Sequence, residues 1–210
     1  MVQKERIFIL APHTDDGELG CGGFIAKHVA AGCEVFYVAF STCSESLPIG
    51  LPANTLSVEC TAATNALGID SSRLLFFDFT VRHLQSKRQA ILEGLILLKN
   101  QYQPTTVLLP AQHDVHQDHQ AIYEEGLRAF KNSTILGYEL PWNNWRFQPT
   151  YFESLSEENL SAKVNALKEY KSQEKRSYMQ ENFIRSLAVV RGVQSGTSLA
   201  EAFEIYRMIR

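Results

Sequence analysis

Apolar and polar positions alternate along this chain in blocks whose spacing changes between strand and helix. Residues 6–11 (RIFILA) form a short apolar run between polar flanks and predict a buried strand. In ELGCGGFIAKHVAAG, residues Leu19, Phe24, Ile25 and Val29 fall close to helical spacing, and Gly32 stands where a C-terminal cap belongs. EVFYVAF (34–40), rich in β-branched and aromatic residues, predicts a second strand. STCSESLPIGLPAN (41–54) crowds Pro, Gly and Ser and predicts a loop. A helix over 55–66 ends at Gly68, and RLLFF (73–77) is a third strand. A helix over 88–102 is stopped by Pro104, and TTVLLP (105–110) is a fourth strand. The polar loop AQHDVHQD leads into a helix over 119–130 and a fifth strand, TILGYEL (134–140). This alternation predicts an α/β fold: a Rossmann-like three-layer α/β/α sandwich, its sheet mostly parallel, in one domain over 1–210.

The last third, about 141–210, reads differently. PWNNWRFQPT is a loop holding both tryptophans. Residues 157–193 predict one or two helices with a break near Gly192. In the tail AEAFEIYRMI, Phe203, Ile205 and Ile209 alternate, which favours an extra strand over the helix that its first residues suggest. Repeats, low-complexity tracts and flexible linkers do not appear.

Composition narrows the class. With 210 residues the chain supports one substantial core. A net charge of -3 offers no basic excess for nucleic acid or an anionic membrane surface. The longest apolar stretch is broken at Glu93 and Gly94, short of a membrane span. The opening MVQKER lacks the pattern of a signal peptide. Cys21, Cys33, Cys43 and Cys60 contain no C-x-x-C pair and read as reduced thiols, so a cytoplasmic location is expected.

Two polar clusters follow strands. His13, Asp15 and Asp16 come directly after the first, and HDVHQDH (113–119) comes after the fourth. Ligands of parallel sheets lie beyond the carboxyl ends of strands, so both clusters belong to one edge of the sheet and face each other if strands one and four are neighbours. Imidazoles and carboxylates are the ligands of catalytic zinc. His13, Asp16 and one histidine of the second cluster make such a set, with Asp15 left over to take a proton from water. Two plainer readings compete. Asp15 or Asp16 can be the N-cap of the helix that follows. The glycines of G-C-G-G can form a phosphate loop, although Ile25 stands where G-x-G-x-x-G needs its third glycine and no Walker lysine follows.

PHTDDGELGCGG resembles the first motif, A-H-P-D-D-E-x-x-G-x-G-G, of the zinc-dependent N-deacetylases of the PIG-L/LmbE-like family. HQDH (116–119) resembles that family's H-P-D-H motif, and RG…AEAF (191–203) its C-terminal stretch. The resemblance implies metal ligation by His13, Asp16 and His119, and Asp15 as the general base. It implies that His116 stabilises the oxyanion or protonates the leaving amine, and that Asp118 orients His116. Thr14 and Gln117 replace prolines of the motifs, and Gly17 stands where an acid is common, with Glu18 beside it.

The resemblance further implies hydrolysis of an N-acetylated sugar or sugar conjugate with release of acetate. Zinc is the expected cofactor, and Fe²⁺ or another divalent ion suits the same ligands. Arg82, Trp142 and Asn143 are candidate substrate contacts, Ser44 and Glu45 weaker ones, while Arg191 is read as structural. A metal-dependent amidase acting on a non-sugar amide and a metal-binding module without activity are the alternatives. The partner expected is a small molecule; a homo-oligomer stays open, since the aromatic-rich C-terminal third can carry an interface.

Overall fold

Residues 7–11 of the first strand, β1 (Arg6–Ala11), are buried on both sides. Ile7, Ile9 and Ala11 join one apolar cluster, and Phe8 and Leu10 join another on the opposite face. Such a strand needs helices on both faces of its sheet. The computed structural model describes residues 5–209. Residues 1–4, which carry most of the charged opening stretch, lie outside the described residues, as does residue 210.

The remaining elements are α1 (Asp16–Ala30), β2 (Glu34–Ala39), α2 (Thr55–Ala66), β3 (Leu74–Phe76), α3 (Arg88–Tyr102), β4 (Thr106–Pro110), α4 (Gln117–Ala129), β5 (Thr134–Tyr138), β6 (Tyr151–Ser154), α5 (Glu157–Leu167), α6 (Glu181–Ser195) and β7 (Ala200–Arg207). Among the described residues seven strands make one sheet in the order β3-β2-β1-β4-β5-β7-β6. The first five are parallel, and β7 runs antiparallel to both β5 and β6. Helices α1, α2, α5 and α6 cover one face, while α3 and α4 cover the other. The expected α/β sandwich with a mostly parallel sheet is therefore what forms. No helix among the described residues is long and apolar enough to cross a membrane.

Two expectations are corrected. Strand β6 was not anticipated: it has four residues and carries the buried carboxylate Glu153 rather than an apolar run. The break expected near Gly192 does not occur, because α6 continues to Ser195 and ends at Gly196, whose φ is 74°. Gly192 is a packing glycine; a Cβ there would lie 2.5 Å from the Ser198 carbonyl oxygen.

Helix α1 is kinked at Cys21 (φ -147°, ψ 28°). The break frees backbone N–H groups, and a carboxylate from β7 collects two of them: Gly23 N–H and Phe24 N–H donate to Glu201 at 3.0 and 2.6 Å. Lys163 on α5 pairs with Glu201 at 2.7 Å, so the buried charge is matched. The glycines of G-C-G-G thus lie inside a packed helix. A Cβ at Gly20 would lie 2.3 Å from the Tyr138 ring, which leaves no room for a phosphate.

Candidate active site

Strand β1 has β2 on one side and β4 on the other, so the chain changes direction across the sheet between β1 and β4. The turn after β1 (Pro12–Asp15) and the loop after β4 (111–116) open at this point, where parallel sheets place their ligands. An isolated bridge between Asp114 and Asn144 ties the second loop to the segment after β5.

Three side-chain atoms converge between the two loops. His13 Nδ1 lies 3.1 Å from Asp16 Oδ2, His119 Nε2 lies 3.2 Å from the same oxygen, and the two ring nitrogens are 3.2 Å apart. Ligands held about 2.0–2.1 Å from a tetrahedral zinc ion sit roughly 3.3 Å from one another, so this triangle has the dimensions of three metal ligands. Its outward atoms are also held. His13 Nε2 meets Asp118 Oδ2 at 3.0 Å, and His119 Nδ1 meets Asp114 Oδ2 at 2.7 Å. A carboxylate behind each imidazole fixes ring and tautomer in metal sites.

Electrostatics agree with a cation at this spot. Burial alone would lower the pKa of His13, but Asp16 and Asp118 outweigh it and raise it to about 9. Burial is likewise outweighed at His119, where Asp16 and Asp114 raise the pKa to about 10. At Asp16 burial acts upward, yet His119 and His13 prevail and hold the carboxyl far below its ordinary range. The donor set and its charge fit a divalent metal ion.

Neither aspartate of the first motif acts as a helix cap. Asp15 occupies the N-cap position of α1, but its side chain makes no capping bond. Asp16 turns back to accept the His13 backbone N–H at 2.8 Å. Burial, then the neighbouring Asp16, raises Asp15 to about 6. His116 caps α4: its Nδ1 accepts the Asp118 N–H at 3.1 Å. Burial, with His119 and His13 nearby, lowers His116 to about 4. The expected carboxylate contact from Asp118 to His116 is not made. The Asp118 side chain turns instead to the segment between β3 and α3, where it accepts from Arg82 N–H (2.5 Å) and Leu84 N–H (3.1 Å), and meets His13 in the turn after β1. Asp114, unassigned from the sequence, supports the second loop: besides His119, it accepts the His116 backbone N–H at 2.8 Å.

A cavity of about 300 Å³ opens beside these groups. Arg82, Trp142 and Asn143 line it, together with Asp15 and His116. Arg82 holds a left-handed backbone conformation, φ 69°, and forms no ion pair among the described residues. Trp142 stacks on Tyr178 with ring centroids 4.1 Å apart. Gln173, Arg176 and Tyr178, from the segment between α5 and α6, complete the wall and were not found in the sequence. Ser46 reaches the cavity where Ser44 and Glu45 were considered. His113 lies outside it, in a surface hollow beside Trp145. Arg191 pairs with Glu139, one contact at 2.9 Å, and packs over Phe147, in keeping with a structural role.

Comparison with known proteins gives this site relatives. A family model described as "GlcNAc-PI de-N-acetylase" (PIG-L) matches residues 8–130. The uncharacterized deacetylase YaiS of Escherichia coli (strain K12) is 32% identical over 176 residues, covering 81% of this chain and 92% of that protein. A diacetylchitobiose deacetylase of Thermococcus kodakarensis is 25% identical over 222 residues, covering 94% and 81%. The structure of the N,N'-diacetylchitobiose deacetylase of Pyrococcus horikoshii, complexed with its inhibitor MPG, superposes with a TM-score of 0.80 at 20% identity over 97% of this chain and 84% of that one. The matched span includes both post-strand motifs and more than half of the sequence: the chain belongs to the PIG-L family of deacetylases.

Proposed function

We propose that the chain is a metal-dependent N-deacetylase that removes the acetyl group from an N-acetylated sugar or sugar conjugate and releases acetate. The observation that carries this reading is the triangle of His13 Nδ1, Asp16 Oδ2 and His119 Nε2, with edges of 3.1–3.2 Å, set next to Asp15, whose side chain makes no capping bond. The deacetylase names of the relatives support the reaction, and the two diacetylchitobiose deacetylases support the sugar.

A divalent ion held by His13, Asp16 and His119, zinc in this reading and Fe²⁺ as the other candidate, would supply Lewis-acid activation of the acyl carbonyl and of a water molecule. Asp15 takes the proton of the attacking water. His116 uses Nδ1 as an acceptor for Asp118 N–H, so its hydrogen resides on Nε2. As a neutral donor it stabilises the negative charge that develops on the acyl oxygen. Asp15 then returns its proton to the amine nitrogen as the C–N bond breaks. Asp118 serves by fixing His13. Arg82, Trp142 and Asn143 contact the substrate, joined by Arg176 and Tyr178 across the cavity. A space of about 300 Å³ is at the small end of ligand sites and suits one N-acetyl sugar ring at a time.

The test is acetate release from zinc-loaded protein given N-acetylglucosamine, N,N'-diacetylchitobiose and simple non-sugar N-acetyl amides. Acetate from the sugars is the expected result. Turnover of only the non-sugar amides would move the substrate class, and no turnover of any would overturn the reading.

A further inference from the structure

Gly17 stands where the related motif often carries an acid, and Glu18 follows it. The ring of Tyr37 on β2 fills the space beside Gly17, where a Cβ would lie 2.5 Å from the ring carbon Cε2. The acid sits one position later and turns beneath the loop, fully buried. Two buried tyrosine hydroxyls meet it there. Tyr37 Oη hydrogen-bonds Glu18 Oε2, lies 2.9 Å from the Thr14 carbonyl oxygen and accepts the Gly17 N–H at 3.0 Å. Tyr170 Oη, brought from the segment after α5, lies 2.6 Å from the same Thr14 oxygen and 3.1 Å from Glu18 Oε1.

Thr14 is the residue between His13 and Asp15. Its carbonyl shares one rigid plane with the Asp15 N–H, so holding that oxygen fixes the plane from which Asp15 projects. The Asp15 carboxylate caps nothing, and its direction depends on the backbone behind it. We propose that Glu18, Tyr37 and Tyr170 are positioning residues: the two hydroxyls, spaced by the Glu18 carboxyl group, clamp the Thr14 carbonyl and thereby aim Asp15 and hold His13. The inference rests on the roles given to His13 and Asp15 above.

Tyr170→Phe removes one hydroxyl and keeps the ring. The expected result is a folded protein with about tenfold weaker zinc affinity in chelator competition, the lower end of what losing outer support costs a metal site. Its kcat falls by a similar factor and its KM is unchanged. At saturating zinc, added to Asp15→Asn, the same substitution lowers kcat no further, because the aimed group is gone; a general loss of structure would lower it again. Glu18→Leu reproduces the defect, and Glu18→Gln, which keeps shape and hydrogen bonding, recovers most of it. If Tyr170→Phe does not fold, Tyr37→Phe replaces it. A folded hydroxyl variant with zinc affinity and kcat at the starting values overturns the clamp. Weaker zinc affinity in a protein that releases no acetate even unsubstituted would uphold the clamp and overturn the proposed function.

Discussion

His13 Nε2 lies 3.0 Å from the Asp118 carboxylate, and this contact ties the turn after β1 to the first turn of α4. The two residues are far apart in sequence, yet each needs the other: Asp118 holds the ring whose opposite nitrogen faces Asp16 and His119. Asp118→Asn keeps the shape and one of the two oxygens that accept backbone N–H groups, and removes the charge behind His13. Zinc affinity is expected to fall about 10–100-fold, the usual cost of losing such a partner, read by competition with a chromophoric chelator. Unchanged affinity would mean that the carboxylate only supports the loop.

Asp15→Asn separates base from ligand. Metal content by mass spectrometry is expected to stay near that of the starting protein while kcat drops at least ~10²-fold. Asp16→Ala, by contrast, loses the metal. Full turnover in Asp15→Asn would place the base elsewhere.

The candidate ligands come from the turn after β1, the start of α1 and the first turn of α4, so an ion bound among them would tie the first motif to the second. Chelation is expected to lower the melting temperature, with recovery when zinc is returned, because a ligand that binds only the folded chain stabilises it. The shift should vanish in Asp16→Ala. A shift of the same size in that variant would point to a different metal site.

Arg82 gives two readouts that move in opposite directions. At φ 69° an arginine carries strain of roughly 1–2 kcal/mol that glycine does not. Arg82→Gly is therefore expected to hold or raise the melting temperature while KM for the acetylated substrate rises several-fold. An unchanged KM would remove Arg82 from substrate binding.

Glu153 supplies a pH dependence away from the site. Burial pushes its pKa up, but His28, Lys27 (2.5 Å) and Tyr151 prevail and hold it at about 2 against an ordinary 4.5. The folded pKa is depressed, so the stabilisation is complete above about pH 4.5 and is lost as pH falls towards 2. The melting temperature of Glu153→Gln should lie below that of the starting protein at pH 7, and the two should converge between pH 4.5 and 2. A gap that stays constant across this range would show that packing, not charge, holds β6.

What could be read in the sequence was what a single segment encodes. Five parallel strands appeared because each is a short apolar run, buried on both faces in β1, β2, β4 and β5 and only partly covered in the edge strand β3, and β7 because Phe203 and Ile205 alternate. Strand β6 stayed hidden: Glu153 on it is buried by partners on α1 that no local pattern announces. His13 and Asp16 stood out because polar ligands cluster after strands, while the family resemblance, not the spacing, singled out His119 among the histidines of the second cluster. Asp114 lay in the same cluster, but its part depends on which imidazole nitrogen it faces, which only the folded chain decides. Arg176 and Tyr178 were missed for a related reason, since they enter from irregular turns between α5 and α6 that carry no motif.

The kink of α1 leaves two N–H groups that are received by Glu201, 178 and 177 residues further along the chain. The helix that presents Asp16 is thus finished by a strand made long after it. During synthesis the motif waits until Glu201 has emerged before its backbone is fully paired, a long-range closure of the kind that slows folding. An incomplete chain, still on the ribosome, would hold every candidate ligand and lack the carboxylate that completes the helix carrying one of them.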